Sequence, residues 1–225
     1  MKLVSSNEIQ QPCVSRRNVK RLILFISTVS WLFAVSIGLL ILWDYENSPG
    51  LSTKPPDSWP ADSLLQREPG LATLVMLAHP RCPCTRASIG ELDAVMAQSQ
   101  GRLTAYVLFL KPAGFDDDWE KTDLWQTAAK IPGVKAMIDD GGTEAVRFRA
   151  ATSGQTVLYA PEGNLLFSGG ITGSRGHSGD NAGRSAIVSL VTSGAAKRAE
   201  TFVFGCPLFD ANSECQGASH ARNNH

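Results

Sequence analysis

Apolar residues along this chain fall into three patterns. The first is an unbroken run from Leu22 to Trp43, LILFISTVSWLFAVSIGLLILW, with no charged residue. A membrane core takes about 20 apolar residues in helical form, so the run predicts one transmembrane helix. The second is a set of short apolar runs ended by turn residues: LATLVMLA (71–78) before His79-Pro80, RLTAYVLFL (102–110) before Lys111-Pro112, and VKAMID (134–139). These predict strands, the first two buried on both faces. The third is helical spacing. Ile89, Leu92, Val95 and Met96 predict a helix starting near Cys84 or Thr85 and stopping at Gly101. Helices are also expected over 116–130, over 142–150 and from Ala182 to Thr192, the last capped by Asp180 or Asn181. GQTVLYAPEGNLLFSGG (154–170) reads as strand, turn, strand around Pro161-Glu162-Gly163-Asn164.

The order is therefore β-α-β-α-β-α-β-β-α, an α/β domain with a mixed sheet flanked by helices. It divides the 225 residues into a 1–21 N-terminal segment, a 22–43 anchor, a 44–69 linker, a 70–195 domain and a 196–225 extension. The linker, ENSPGLSTKPPDSWPADS at its heart, has no sustained period and reads as a spacer.

Charge orients the anchor. Arg16, Arg17, Lys20 and Arg21 precede it and Asp44 and Glu46 follow, so the N-terminus belongs in the cytoplasm and the domain across the membrane. Trp43 and Tyr45 sit where an interfacial anchor belongs. A cleaved signal peptide has a shorter apolar region, about 7–15 residues, and a small-residue cleavage site. DYENSPG supplies no such site, so an uncleaved anchor in a bacterial inner membrane, with a periplasmic domain, is expected. Net charge is zero, against the basic excess that nucleic-acid binding domains carry.

Five cysteines, at 13, 82, 84, 206 and 215, then divide by compartment. Cys13 is cytoplasmic, and the other four face an oxidising space where a free thiol needs a purpose. Cys82 and Cys84 lie in HPRCPCTRAS (79–88). A disulfide between them closes almost no loop and so adds little stability. Its small ring is strained, which suits a bridge that is readily reduced. A helix N-terminus and flanking Arg81 and Arg86 favour the thiolate, the reactive form. Dithiol–disulfide chemistry on protein thiols and disulfides follows, with Cys82 attacking, Cys84 resolving, and Arg81 and His177 assisting. Arg175 and His177, in the glycine-rich stretch 169–183, are placed to stabilise a thiolate or move a proton if that stretch approaches the motif.

Metal is the rival chemistry. His79, Cys82, Cys84 and His177 form a soft donor set suited to copper(I) or zinc, although Cys-x-Cys alone wraps one tetrahedral zinc poorly. The exchange reading itself needs no cofactor. Cys206 and Cys215 are expected to bridge each other, and the alternative makes Cys206 a relay for the Cys82–Cys84 pair. Motifs for covalent haem, a serine hydrolase, a zincin, a P-loop and a peroxiredoxin are absent from the sequence.

A buried strand, Cys-x-Cys at the mouth of the next helix and a late strand–turn–strand–helix unit resemble the thioredoxin-like superfamily. The arrangement is similar to its membrane-tethered periplasmic TlpA- and ResA-like members. HPRCPCTRAS, SGGITGSRGHSGDNAG and FGCPLF also resemble the RedB group. The resemblance implies a three-layer thioredoxin-like sandwich and thiol–disulfide exchange. Two departures stand out. Aligning Pro83-Cys84 with the family's Pro-Cys puts Arg81 at the family's nucleophile, and the family's cis-proline position falls near Gly154, where there is no proline. Sco-type copper-delivery proteins share the fold, with two cysteines and a distant histidine, which makes a copper-assembly factor the second expectation. A redox-inactive binding module is the third, motivated by the missing proline.

Overall fold

The structure is a computed structural model that describes residues 16–99, 101–115 and 118–209. It consists of two compact units divided between Tyr45 and Glu46. The first is built on α1 (Arg16–Asn47), which is long and apolar enough to cross a membrane. Its large side chains, Phe25, Trp31, Phe33 and Leu40 among them, are exposed along its length. Hydroxyls within the apolar run are satisfied internally: Ser27 and Thr28 donate to the Leu24 carbonyl and Ser36 to that of Leu32. Such back-bonding removes the penalty of leaving a polar group unpaired in hydrocarbon.

The second unit is a five-stranded sheet ordered β3-β2-β1-β4-β5. In chain order its elements are β1 (Ala72–Ala78), α2 (Pro83–Gln98), β2 (Leu103–Lys111), α3 (Asp123–Ala129), β3 (Val134–Asp140), α4 (Thr143–Arg147), β4 (Thr156–Tyr159), β5 (Leu165–Gly169) and α5 (Ala182–Ser193). β1, β2 and β3 run parallel, whereas β4 and β5 are antiparallel additions beside β1. A central strand followed by a helix bearing the cysteine motif, with a closing antiparallel hairpin and helix, is the thioredoxin-like arrangement.

The apolar runs explain the three layers. Successive strand residues point to opposite faces, and β1 is buried at every position. Leu74, Met76 and Ala78 meet Ile89, Leu92 and Val95 of α2 and Ile187 of α5 on one face. Val75 and Leu77 meet Phe148, Ala150 and Leu65 on the other. Each fully buried side chain of this size contributes about 1.5–3 kcal/mol relative to exposure.

Two segments depart from expectation. Part of the 44–69 stretch is not a free spacer but lies along the second core. Trp59 packs edge-on against Phe148 and Tyr159 at 5.2 and 5.3 Å, and Leu65 is buried. The Tyr159 hydroxyl donates to the Pro56 carbonyl at 2.9 Å. Its proline content sets an extended path, while scattered apolar residues without a period supply the attachment. The helix expected over 116–130 is confined to Asp123–Ala129, with turns from 118 to 120 ahead of it. Asn181, one of the two expected caps, accepts a hydrogen bond from the Arg184 amide of α5.

Candidate functional site

The motif occupies the turn between β1 and α2. The Cys82 amide donates to the His79 carbonyl at 3.1 Å, and Cys82 then becomes the N-cap of α2 in extended conformation. Pro83 takes the first helical position, where its missing N–H costs nothing. Cys84 follows in the first turn. Ser153, just ahead of β4, anchors this turn from across the sheet. Its hydroxyl accepts from the His79 amide at 2.8 Å and shares a 2.7 Å hydrogen bond with the Thr85 hydroxyl.

A third thiol completes the site. The chain returns after α5, and segment 203–208 lies antiparallel to residues 151–153. The Ser153 amide donates to the Cys206 carbonyl at 2.8 Å and the Leu208 amide to that of Ala151 at 2.9 Å, with Thr152 and Pro207 paired between them. The approach depends on Gly205: a Cβ there would overlap the Ser153 carbonyl oxygen. The result is a 2.9 Å contact between the Cys82 and Cys206 sulfurs. The sulfurs of Cys82, Cys84 and Cys206 all lie within 4.8 Å of one another, and all three cysteines are free.

The three thiols differ in acidity. Burial opposes ionisation of Cys82, but hydrogen bonds from the thiol and backbone of Cys206 and from Thr85 outweigh it and hold Cys82 below its ordinary value. Burial, then the charge of Cys82 and the hydrogen bond to it, pushes Cys84 up, with Arg175 opposing. Burial, then the hydrogen bond to Cys82 and the charges of Cys82 and Cys84, pushes Cys206 up to about 12, again against Arg175. Ionisation is therefore easier at Cys82 than at either neighbour. A thiolate at a helix N-terminus gains further from the helix dipole.

The expected assistants take other places. The Arg81 guanidinium lies over the Trp119 ring, 4.8 Å from its centroid, and Arg86 pairs with Asp123. Arg175 is a cation whose charge acts on Cys84 and Cys206. It donates to the carbonyls of Ser48 and Gly205 and so also holds the returning segment. His177 is exposed, and its Nδ1 lies 2.8 Å from the Arg175 carbonyl oxygen. The His79 Nδ1 accepts from the Arg81 amide, and its ring stands edge-on to Trp119. Among the described residues, the cluster within metal-ligand reach is the three cysteines, without His79 or His177. Cys215, expected to bridge Cys206, lies outside the described residues, as does Cys13.

Gly154 stands at the position matched to the family's cis-proline. It has φ +88° and donates to the Leu77 carbonyl at 2.7 Å. A Cβ at this residue would come within 2.9 Å of the Ser88 hydroxyl, which can rotate, so it is the left-handed backbone that calls for glycine there. Among the described residues there is no cis peptide bond. Ser153 and Thr85 had no signal in the sequence beyond their polarity. Cys206 had one, a glycine before it that lets the backbone come close.

No protein-family model matches the chain, and no curated protein matches it significantly. Among solved structures, a hypothetical protein from Sinorhizobium meliloti 1021 superposes with a TM-score of 0.54 at 20% identity, covering 74% of this chain and 98% of that one. An uncharacterized conserved protein from Geobacillus kaustophilus gives 0.53 at 15% identity, covering 74% and 95%. A secreted Mycobacterium tuberculosis disulfide oxidoreductase homologous to E. coli DsbE overlaps less, with a TM-score of 0.34 at 17% identity over 43% of this chain and 67% of that one, and no functional weight rests on it. The first two likenesses show a shared fold, and strand order with the placement of the cysteine motif identifies that fold as thioredoxin-like.

Proposed function

We propose that this protein is a membrane-anchored thiol–disulfide oxidoreductase acting on protein thiols and disulfides in the bacterial periplasm. Residues 22–43 hold it in the inner membrane with the N-terminus in the cytoplasm. Cys82 is the reactive sulfur: the thiolate that attacks a disulfide bond and, in the reverse direction, the leaving group. The observation that carries this reading is the 2.9 Å Cys82–Cys206 contact around a thiol held below its ordinary pKa. A low thiol pKa raises the thiolate fraction and makes a better leaving group. Cys206 and Thr85 tune that sulfur, Arg175 acts on Cys84 and Cys206, and Arg81 and His177 are proposed as assistants from outside the thiol cluster. The test is exchange with oxidised glutathione, using the full chain in detergent. Cys82→Ser abolishes exchange, and His79→Ala only shifts its pH dependence. Unchanged exchange in Cys82→Ser sinks the assignment to Cys82, and no exchange in the wild type leaves a redox-inactive binding module.

One observation favours a second reading, a copper(I) site. Three sulfurs converge, and thiolates are the soft ligands that copper(I) prefers. Spacing argues against it as the resting state. Two thiolates on one ion, each about 2.3 Å from it, stand nearly 4 Å apart, whereas Cys82 and Cys206 are at 2.9 Å. Copper would have to spread them.

A further inference from the structure

Resting on the exchange reading, we infer that the disulfide this protein makes and breaks joins Cys82 to Cys206, while Cys84 stays a thiol. Cys84 is the neighbour in sequence, but a Cys-x-Cys bridge must close a small strained ring on the first turn of α2. Cys206 meets no such constraint. It comes from a separate segment whose main chain is already paired to Ser153 and Ala151, and its sulfur already touches that of Cys82. Segment 203–208 therefore lies along residues 151–153 like an added strand, with its cysteine against Cys82 in the place of a substrate sulfur.

Burial sets which sulfur meets the partner. Cys82 is only 2% exposed and Cys84 6%, whereas Cys206 is partly open. In the oxidised protein a substrate thiolate attacks the Cys206 sulfur. A bond forms between Cys206 and the substrate, the Cys82–Cys206 bond breaks, and its electron pair leaves on Cys82 as the stabilised thiolate. A second substrate thiolate then attacks the substrate sulfur of the mixed disulfide and expels Cys206, which takes up a proton. Two electrons pass from a substrate dithiol to the protein, and the substrate gains its disulfide. Exchange with a protein or glutathione disulfide runs the sequence backwards and reloads the bridge.

The test is disulfide mapping of the full chain in detergent, equilibrated across reduced-to-oxidised glutathione ratios, acid-quenched and digested without reduction. The expected product is a peptide linking Cys82 to Cys206, appearing and disappearing reversibly. Cys84→Ser keeps that bridge with a shifted midpoint, and Cys206→Ser loses it. Wild-type mapping needs no variant to fold. A reversible Cys82–Cys84 bridge overturns the inference but leaves the exchange reading standing, as does a fixed Cys206–Cys215 bridge beside it. No bridge to Cys82 at any ratio overturns both.

Discussion

Replacing Gly205 by alanine tests how the third thiol is delivered. The added Cβ would overlap the carbonyl oxygen of Ser153, lie 3.0 Å from its carbon and stand 3.2 Å from the Thr152 methyl. These are backbone atoms and a buried side chain, so they cannot swing aside. Segment 203–208 must retreat by about 1.5 Å before the contact becomes ordinary. Overpacking of this kind costs about 1–3 kcal/mol. Losing the 2.8 Å Ser153–Cys206 hydrogen bond adds about 0.5–1.5 kcal/mol. In the dithiol form the segment can lift away and relieve the strain, but a Cys82–Cys206 bridge tethers it in place. The strain therefore falls mainly on the oxidised form. Each 1.4 kcal/mol of it raises the reduction potential by about 30 mV and moves the glutathione midpoint tenfold toward the dithiol. The acidity of Cys82 should weaken as well, because its donors on Cys206 recede. The assay is a glutathione titration of full-length Gly205→Ala read by alkylation and intact mass. Gly173→Ala serves as control, since a Cβ there meets nothing within 4 Å. A Gly205→Ala midpoint and Cys82 alkylation profile indistinguishable from the control would refute the reasoning.

Three further outcomes are expected. Ser153→Ala strips the His79 amide and the Thr85 hydroxyl of a partner inside the core, and should cost about 1–3 kcal/mol in a urea melt. Arg175→Gln removes the charge that opposes the rise of Cys84 and Cys206 and loosens the grip on Gly205, so alkylation of both thiols should move to higher pH. The pH profiles should also separate. Cys82, held below 9.0, should alkylate at lower pH than Cys84. Cys206 keeps its proton in the folded chain up to about 12, whereas the unfolded chain releases it near 9.0. The unfolded state then binds fewer protons, so stability should fall as pH rises through that window, and less steeply in Cys206→Ser. A melting temperature that is flat from pH 9 upward in the wild type would contradict this.

The sheet was legible because burial on both faces leaves a simple mark. LATLVMLA contains no charge and became a fully buried strand, and the turn at Pro161–Asn164 split the hairpin as expected. Helix α2 was legible from Ile89, Leu92 and Val95, all of which it buries. The site was legible only in part. Cys82 and Cys84 were visible as a pair, but the arrangement of charge around them was not. Arg81 and Arg86 flank the motif in sequence, yet the turn aims them at Trp119 and Asp123, while Arg175 arrives from a loop far along the chain. The position of Cys206 depends on a close backbone approach between segments more than fifty residues apart. No local period encodes such an approach, and Gly205 is its one trace. The attachment of residues 50–65 was hidden for a related reason, because Trp59 and Leu65 bury themselves without forming an element whose spacing could announce them.

The most direct test of thiol–disulfide exchange is the intact mass of the full-length protein across graded glutathione buffers, with and without copper(I). Exchange predicts a reversible loss of two mass units that involves Cys82 and proceeds without retained metal. Retained copper that shields Cys82, Cys84 and Cys206 from alkylation, with no disulfide at any glutathione ratio, would contradict it.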